Sequence, residues 1–230
     1  MRKLIKSTLS LALAAFMSIS MFAHAGEAVA EDHASSVSYN VGYMSEYWYR
    51  GSYQSESAVS FGADMEMGNM YIGTWWADVD EGVEYDIYAG FNFELMGLPM
   101  YLGATGYYYS DNFDGDYEEL NTGIDFGLFA IDYAFAGEFT ALAENGGGTS
   151  DYEHFSISAA VPMTSLDFTY GTFEDDLTGR YYELSYGATV SGVDVGVVLG
   201  RNFDNSTASS DKAGKEIDTT YATFSLGYSF

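Results

Sequence analysis

The chain has 230 residues, with 34 acidic against 8 basic side chains and a formal net charge of −26 at pH 7. This excess of negative charge argues against nucleic acid and anionic surfaces as partners. The chain has no cysteine, which excludes a disulfide framework and thiol chemistry. Its 47% hydrophobic and 17% aromatic residues contradict an intrinsically disordered protein.

The N-terminus has the parts of a secretory signal peptide. Arg2, Lys3 and Lys6 form a basic start, an apolar run follows, and Ala23-His24-Ala25 is a small-residue cleavage site. The apolar run is shorter than the about 20 residues that a membrane-spanning helix needs. The predicted division is a signal peptide over 1–25, a polar leader over 26–36 and one β-barrel domain over 37–230.

From residue 37 onward, twelve successive segments predict strands, and in ten of them apolar residues alternate with small or polar residues. Successive side chains of a β-strand point to opposite faces, so each alternating segment predicts a strand with one apolar face. The segments are 37–50, 59–67, 70–77, 83–94, 100–109, 119–128, 131–139, 154–159, 166–171, 182–190, 193–200 and 221–230. The third and fifth segments are apolar on both sides, and their facing stays open.

The connections alternate between two classes. Five are short: Gly68-Asn69, Gly97–Pro99, Phe129, Pro162–Thr164 and Ser191-Gly192. Six are longer and mostly acidic: 51–57, 78–82, 110–118, 140–151, 174–180 and 202–217. Short turns at one rim and long loops at the other are typical of outer-membrane barrels, which alone among strand structures satisfy every backbone group in lipid. We predict an all-β fold: a transmembrane antiparallel up-and-down β-barrel of about twelve strands in the bacterial outer membrane.

If the apolar face meets lipid, the polar face lines the lumen. The predicted pore-lining residues are thirteen acids and one base: Glu46, Arg50, Asp64, Glu66, Glu84, Asp86, Glu94, Glu119, Asp125, Asp132, Glu138, Asp167, Glu183 and Asp194. Rings of carboxylates favour cations and exclude anions. One base cannot neutralise thirteen acids, so this pattern favours a wet lumen over a sealed core.

The predicted function is passive diffusion of small hydrophilic solutes, cationic or neutral, through this lumen. Barrels of about eight strands close on packed side chains and those of 16–18 leave an open channel, so twelve strands leave the lumen width undecided. The alternative is a non-conducting barrel with a structural role, or one whose acidic loops bind ions or lipopolysaccharide at the cell surface.

Catalytic chemistry has little support in the sequence. His154 is the only histidine in the barrel region, and no serine or aspartate stands at a recognisable spacing from it. Residues 111–119 have the composition of a calcium loop but not the EF-hand spacing. The sequence therefore predicts no catalytic residue, no metal site and no cofactor.

The C-terminal strand ends on alternate apolar residues, Phe224, Leu226, Tyr228 and Phe230. A terminal phenylalanine after alternate aromatics resembles the assembly signal of outer-membrane barrels. This resemblance implies recognition by the barrel-assembly machinery, followed by contact with outer-membrane lipid and lipopolysaccharide.

Residues 41–55 resemble the first-strand signature of the TorF-type porins, a proteobacterial outer-membrane family. The matching core is Ser45-Glu46-Tyr47, Arg50-Gly51 and Gln54-Ser55, and Gly73-Thr74-Trp75 resembles a second family element. The resemblance implies a porin and does not specify a solute.

Overall fold

The computed structural model describes residues 35–204 and 218–230, and the predicted signal peptide and most of the leader and of the last loop lie outside them. The strands are β1 (Ser36–Met44), β2 (Tyr47–Tyr49), β3 (Ser52–Ser55), β4 (Ala58–Met67), β5 (Met70–Asp78), β6 (Val83–Leu95), β7 (Leu98–Tyr109), β8 (Asp116–Asp125), β9 (Phe129–Thr140), β10 (Thr149–Ala160), β11 (Leu166–Asp175), β12 (Gly179–Val190), β13 (Val193–Phe203) and β14 (Thr220–Ser229). A single 3₁₀ turn spans Ala143–Asn145. The described residues contain no helix long and apolar enough to cross a bilayer.

Twelve of these strands, β1 and β4 to β14, form one closed antiparallel barrel. Each pairs with its sequence neighbours, and β1 closes the ring by pairing with β4 on one side and β14 on the other. Closure leaves no unpaired strand edge. The predicted all-β barrel of twelve strands is confirmed.

Large apolar side chains cover most of the outer surface of the barrel. Val37, Phe61, Ile72 and Ile87 are examples of large apolar side chains that stay roughly half exposed on it. A contiguous apolar surface of this extent is unfavourable in water, because monomeric soluble proteins expose only patches of a few hundred Å². The alternation in the sequence therefore places the apolar face outward, where it needs a non-aqueous environment.

The structure also shows the facing of the two strands that are apolar on both sides. In β5, Ile72 and Trp76 point outward, while Trp75 and Ala77 are buried inside the barrel. In β7, Leu102 points outward, and Tyr101 and Tyr107 point inward and are buried. Inward aromatic rings on both strands reduce the space in the lumen.

Two of the predicted short turns are displaced by a few residues. Leu98 and Pro99 belong to β7 and Phe129 belongs to β9, so the turns lie at 96–97 and 126–128 instead. Met96 and Gly97 both have positive φ, at 55° and 79°. This pair matches the type I′ turn, whose twist suits a two-residue hairpin connection.

Strand β9 contains a β-bulge that reverses its facing. The register shifts against both neighbours, between Glu118 and Leu120 of β8 and between Tyr152 and His154 of β10. Ala136 provides the extra residue and has a φ of 49°. Because side chains alternate, one inserted residue moves every later side chain of the strand to the other face.

Glu138, predicted to line the pore, is therefore on the outer surface. It pairs with Glu118 of β8 and is exposed. Phe139 correspondingly lies inside and stacks on Tyr117 with 4.5 Å between ring centroids. The inward prediction for Glu138 is wrong because strict alternation along β9 does not account for a bulge.

Candidate functional site in the barrel interior

The first long connection does not stand above the barrel but folds into it. Strand β1 ends at Met44, and β2 and β3 form a small antiparallel hairpin, Tyr47–Ser55, that is separate from the barrel sheet. Tyr47, Tyr53 and Ser55 of this hairpin are each no more than 3% exposed. We call residues 47–55 the lumen hairpin.

The turn of the lumen hairpin is formed by Arg50 and Gly51. Both have positive φ, 48° and 75°, as a type I′ turn requires. A Cβ at position 51 would lie 2.6 Å from the Cβ of Tyr181, so this position needs glycine for space as well as for conformation. The predicted first strand over 37–50 is therefore too long, because its last residues enter this turn.

The tip of the lumen hairpin is attached to the far wall by an ion pair. The guanidinium of Arg50 donates two hydrogen bonds, 2.7 and 2.8 Å long, to the two carboxylate oxygens of Glu119 on β8. Tyr107 and Tyr152 also donate to this carboxylate, each at 3.0 Å. Burial lowers the pKa of Arg50 and the charge of Glu119 raises it, with a net pKa well above the ordinary value. Arginine is not deprotonated in proteins, so Arg50 is the cation of this pair.

Other hairpin residues contact the wall at several further points. The ring of Trp48 is stacked on Tyr221 of β14, with 4.0 Å between centroids and 5° between planes. Asn202 of β13 donates a 2.8 Å hydrogen bond to the carbonyl of Gly51. Tyr47 packs edge-on against Trp75 of β5 at 5.6 Å. The hairpin thus contacts strands on several sides of the barrel, so it forms a constriction across the lumen.

Tyr47 and Tyr49 have the apolar parity of the predicted first strand over 37–50, which would direct them to the outer surface, but the structure places both inside the barrel. Tyr47 belongs to the buried apolar cluster of the molecule, together with Trp75, Val79 and Phe113. The hydroxyl of Tyr49 is 2.8 Å from that of Tyr107 on β7. Both rings lie inside the barrel because the chain leaves the wall after Met44.

The structure accounts for the predicted pore-lining residues in three groups. Most are on the inner face of barrel strands: Asp64, Glu66, Glu84, Asp86, Glu94, Glu119, Asp125, Asp132, Asp167, Glu183 and Asp194. Glu46 and Arg50 lie on the segment that folds into the lumen, where Trp48 donates a 2.9 Å hydrogen bond to Glu46. Glu138 is on the outer surface.

Several inner carboxylates accept hydrogen bonds from tyrosine hydroxyls. Tyr88 donates to Asp64 at 2.5 Å, Tyr101 to Asp132 at 2.8 Å and Tyr221 to Glu183 at 2.8 Å. Hydrogen bonds to an ionised acceptor are shorter and stronger than neutral ones. The tyrosine hydroxyls thus satisfy carboxylate oxygens on the inner wall without bringing a positive charge to them.

Glu84 and Asp86 of β6 lie deeper than the sequence indicates. Both are completely buried beneath the lumen hairpin, near Tyr47. Asp86 lies in register between Trp75 of β5 and Tyr107 of β7, so large aromatic side chains flank it. These acids are inside the barrel and lie close to the lumen hairpin.

Inward glycines of the wall strands do not leave open space in the lumen. A Cβ at Gly200 would lie 2.1 Å from the ring of Tyr221. The tyrosine ring therefore lies directly over the glycine backbone. Space released by glycine is occupied by an aromatic side chain, which explains why a strand wall rich in both residues is well packed.

His154 is a packing residue in this interior. It is 3% exposed, its Nε2 is 3.3 Å from the hydroxyl of Tyr181, and its ring packs on Phe173 at 4.8 Å. The aromatic and amide residues that hold the lumen hairpin were not recognised from the sequence. The one local signal for the hairpin is the Arg50-Gly51 pair, whose glycine marks a turn.

Structural comparison finds similar barrels. The KdgM porin is 8% identical, with a TM-score of 0.50, 86% of this chain covered and 99% of that chain. Omp33 of Acinetobacter baumannii is 12% identical with a TM-score of 0.46, covering 84% and 96% of the two chains. Outer membrane phospholipase A of Escherichia coli is 12% identical with a TM-score of 0.39, covering 83% and 93%. At these identities the likeness concerns the fold alone.

Curated protein sequences give no match to the chain. A family model does match, and it covers residues 28–230, which includes the whole barrel. The family is described as "Bacterial protein of unknown function (Gcw_chp)". The chain therefore belongs to the Gcw_chp family.

Proposed function

We propose that the protein is a porin of the TorF type in the bacterial outer membrane, where it lets small hydrophilic solutes diffuse passively and prefers cationic or neutral ones. The observation that carries the proposal is the contrast between the two faces of the closed barrel. The outer face is predominantly apolar, which suits lipid. The inner face carries a row of carboxylates, whereas Arg50 is already paired with Glu119.

Charge is the reason for the proposed selectivity. Carboxylates around a narrow lumen create a negative potential, which concentrates cations and repels anions. Acids near the short turns, such as Glu94, Asp125 and Asp194, lie away from the lumen hairpin and remain partly exposed or exposed. They are the residues that a solute would meet at that mouth.

A second candidate is a non-conducting barrel with a structural or surface-binding role. The specific observation that favours it is the burial of the lumen hairpin, which reduces the free cross-section. The alternative requires the hairpin to stay closed, whereas the channel requires a path beside it or movement of the hairpin.

Single-channel recording in planar bilayers tests the two candidates. The purified protein should produce discrete conductance steps, and its reversal potential under a potassium chloride gradient should have the sign of a cation-preferring pore. Steps with an anion-preferring reversal potential would refute the selectivity. Complete absence of steps from folded, heat-modifiable protein would favour the non-conducting barrel.

A further inference from the structure

Five short turns close one end of the barrel, the short-turn end, and three of them carry a large apolar side chain. Met96, Leu128 and Met163 lie in the turns that join β6 to β7, β8 to β9 and β10 to β11. Met96 is 95% exposed, Leu128 is 79% exposed and Met163 is fully exposed, whereas no other large apolar side chain of the described residues exceeds 63%. We call these three residues the apolar tips.

The apolar tips belong to one half of the barrel. Strands β6 to β11 are consecutive neighbours in the ring, so the three turns follow one another along the rim. The short turns of the other half, 68–69 and 191–192, carry Asn69 and Ser191 instead, and both are exposed. The rim at the short-turn end is therefore apolar in one half and polar in the other.

Turn conformation does not account for the two methionines. Met96 and Met163 have positive φ, at 55° and 64°. This region is unfavourable for a bulky side chain and is adopted more readily by glycine, asparagine and aspartate. A polar residue would thus suit both the backbone and an aqueous surrounding. Strain of this kind at an exposed position indicates that the side chain itself has a role.

The apolar tips continue the apolar outer surface of the barrel. Leu95, which precedes Met96, is the last outward residue of β6 and is exposed. Phe126 and Phe129 flank the tip of the next turn, are also exposed, and stack with 4.7 Å between ring centroids. Aromatic residues at the edge of the apolar band are typical of barrels in a membrane. No polar side chain separates the outer surface from the tip in either turn.

The absence of charge from these turns favours lipid over a polar protein surface. Residues 95–98, 126–129 and 161–166 include no acidic or basic side chain. The nearest acids, Glu94, Asp125 and Asp167, are on the inner face of their strands. A charged partner would find no ion pair here, whereas acyl chains need none. The flexible side chain of methionine also adapts to an irregular apolar surrounding.

We propose that the apolar tips insert into the acyl region of the membrane leaflet at the short-turn end and anchor that half of the rim. Asn69 and Ser191 stay in water, so the barrel axis leans toward the β6–β11 side. The inference rests on the membrane location of the proposed porin and adds an interaction surface outside the barrel wall.

Fluorescence quenching in phosphatidylcholine vesicles tests the proposal. The chain has no cysteine, so a single introduced cysteine carries an environment-sensitive fluorophore at one position only. Ile87, which is exposed on the outer wall, is the reference for lipid, and Asn69 and Ser191 are the references for water. The six variants are Met96→Cys, Leu128→Cys, Met163→Cys, Ile87→Cys, Asn69→Cys and Ser191→Cys.

Lipids with brominated acyl chains should reduce the fluorescence at the apolar tips as much as at Ile87 and leave it unchanged at Asn69 and Ser191. Unquenched tips beside a quenched Ile87, or equal quenching at all five turns, would overturn the proposal and leave the membrane barrel. An unquenched Ile87 would refute the membrane location itself.

A second measurement tests the native methionines, because the fluorophore is itself apolar. Met96→Asn with Met163→Asn should reduce the quenching of the label on Leu128→Cys, since the rim loses two anchors. Asparagine adopts positive φ readily, so these turns keep their shape. Ser165→Asn with Ser191→Asn is the control, because it adds two asparagines at short turns and removes no tip. Equal quenching in the two double variants would contradict insertion through the methionines.

Aqueous iodide distinguishes lipid from protein as the cover of the apolar tips. Insertion in lipid predicts the same protection from iodide in vesicles and in outer-membrane fragments, whatever the ratio of protein to lipid. Protection that appears only at a high protein ratio would indicate a second copy of the chain. Protection in the fragments alone would indicate another protein, and either result would overturn the proposal.

Discussion

Arg50, at the turn of the lumen hairpin, and Glu119, on β8, form a bidentate ion pair across the barrel interior. Their side chains are 12% and 0% exposed. A bidentate guanidinium–carboxylate pair has a fixed geometry, which a lysine in place of the arginine would not reproduce. The pair is therefore the contact that positions the hairpin tip.

Removing the base alone should destabilise the barrel markedly. Arg50→Met leaves the carboxylate of Glu119 buried without its cation, and loss of one partner of a buried pair costs about 3–5 kcal/mol. Urea unfolding in detergent, followed by tryptophan fluorescence, measures this change in the free energy of unfolding. The double variant Arg50→Met with Glu119→Gln should lose less than the single one.

The exposed pair Arg180–Asp204 provides the matched control. Its side chains are 53% and 71% exposed, at an N–O distance of 3.0 Å. An exposed ion pair contributes about 0–1 kcal/mol, so Arg180→Met should hardly change unfolding. Similar losses for Arg50→Met and Arg180→Met would show that the buried pair does not hold the hairpin.

Removing the lumen hairpin should widen the channel. Replacing residues 46–56 by a short Gly-Ser linker leaves every barrel strand intact, because β2 and β3 do not pair with the barrel sheet. Single-channel conductance should rise, because the constriction is gone. Shortening the exposed loop 141–148 is the control and should leave conductance as it was. An unchanged conductance in the hairpin variant would mean that current does not pass the hairpin.

Acids at the short-turn end should contribute to cation preference. Replacing Glu94, Asp125, Asp132 and Asp194 with glutamine or asparagine removes four charges at nearly constant size. The reversal potential should move toward the unselective value. Preference of the unaltered pore should also fade near 1 M salt, where the Debye length is about 3 Å.

The bulge in β9 supplies the control for this prediction. Glu118 and Glu138 form a pair of acids on the outer surface. Replacing both with glutamine removes charge from the same barrel without touching the lumen. Selectivity should stay the same in this variant, and an equal shift in the two variants would argue for a general surface-charge effect.

Substitution of the last residue, Phe230, should reduce the efficiency of barrel assembly more than the stability of the folded barrel. Phe230 is 63% exposed on the outer surface, and its ring lies 5.8 Å from that of Tyr39 on the strand that closes the barrel. The two residues also exchange backbone hydrogen bonds of 2.9 Å, which a substitution keeps. Phe230→Ala should lower the yield of folded barrel in the outer membrane while export continues.

Heat-modifiable migration of outer-membrane fractions measures that yield. Val190→Ala is the control, because Val190 is also an exposed apolar residue on the outer surface. If Phe230→Ala and Val190→Ala give equal yields of folded barrel, the terminal aromatic is not read during assembly.

Alternation of apolar and polar residues was sufficient to predict the barrel. It is a local property of each strand, because neighbouring side chains point to opposite faces whatever the strand pairs with. Ile87 and Phe224 are outside and Glu84 and Asp132 are inside, as the period of two indicates. Even the order of strands follows, since short connections join antiparallel neighbours.

Only the tertiary structure decides what fills the barrel. The lumen hairpin rests on Glu119, 69 positions from Arg50, and on Asn202, 151 positions from Gly51. Segment 45–57 keeps the aromatic alternation of a wall strand, so its pattern alone does not reveal that it leaves the wall. The bulge at Ala136 is likewise decided by pairing with two neighbouring strands. Period and turn chemistry are local and readable in the sequence, whereas the contents of the lumen depend on contacts that exist only after the barrel has closed.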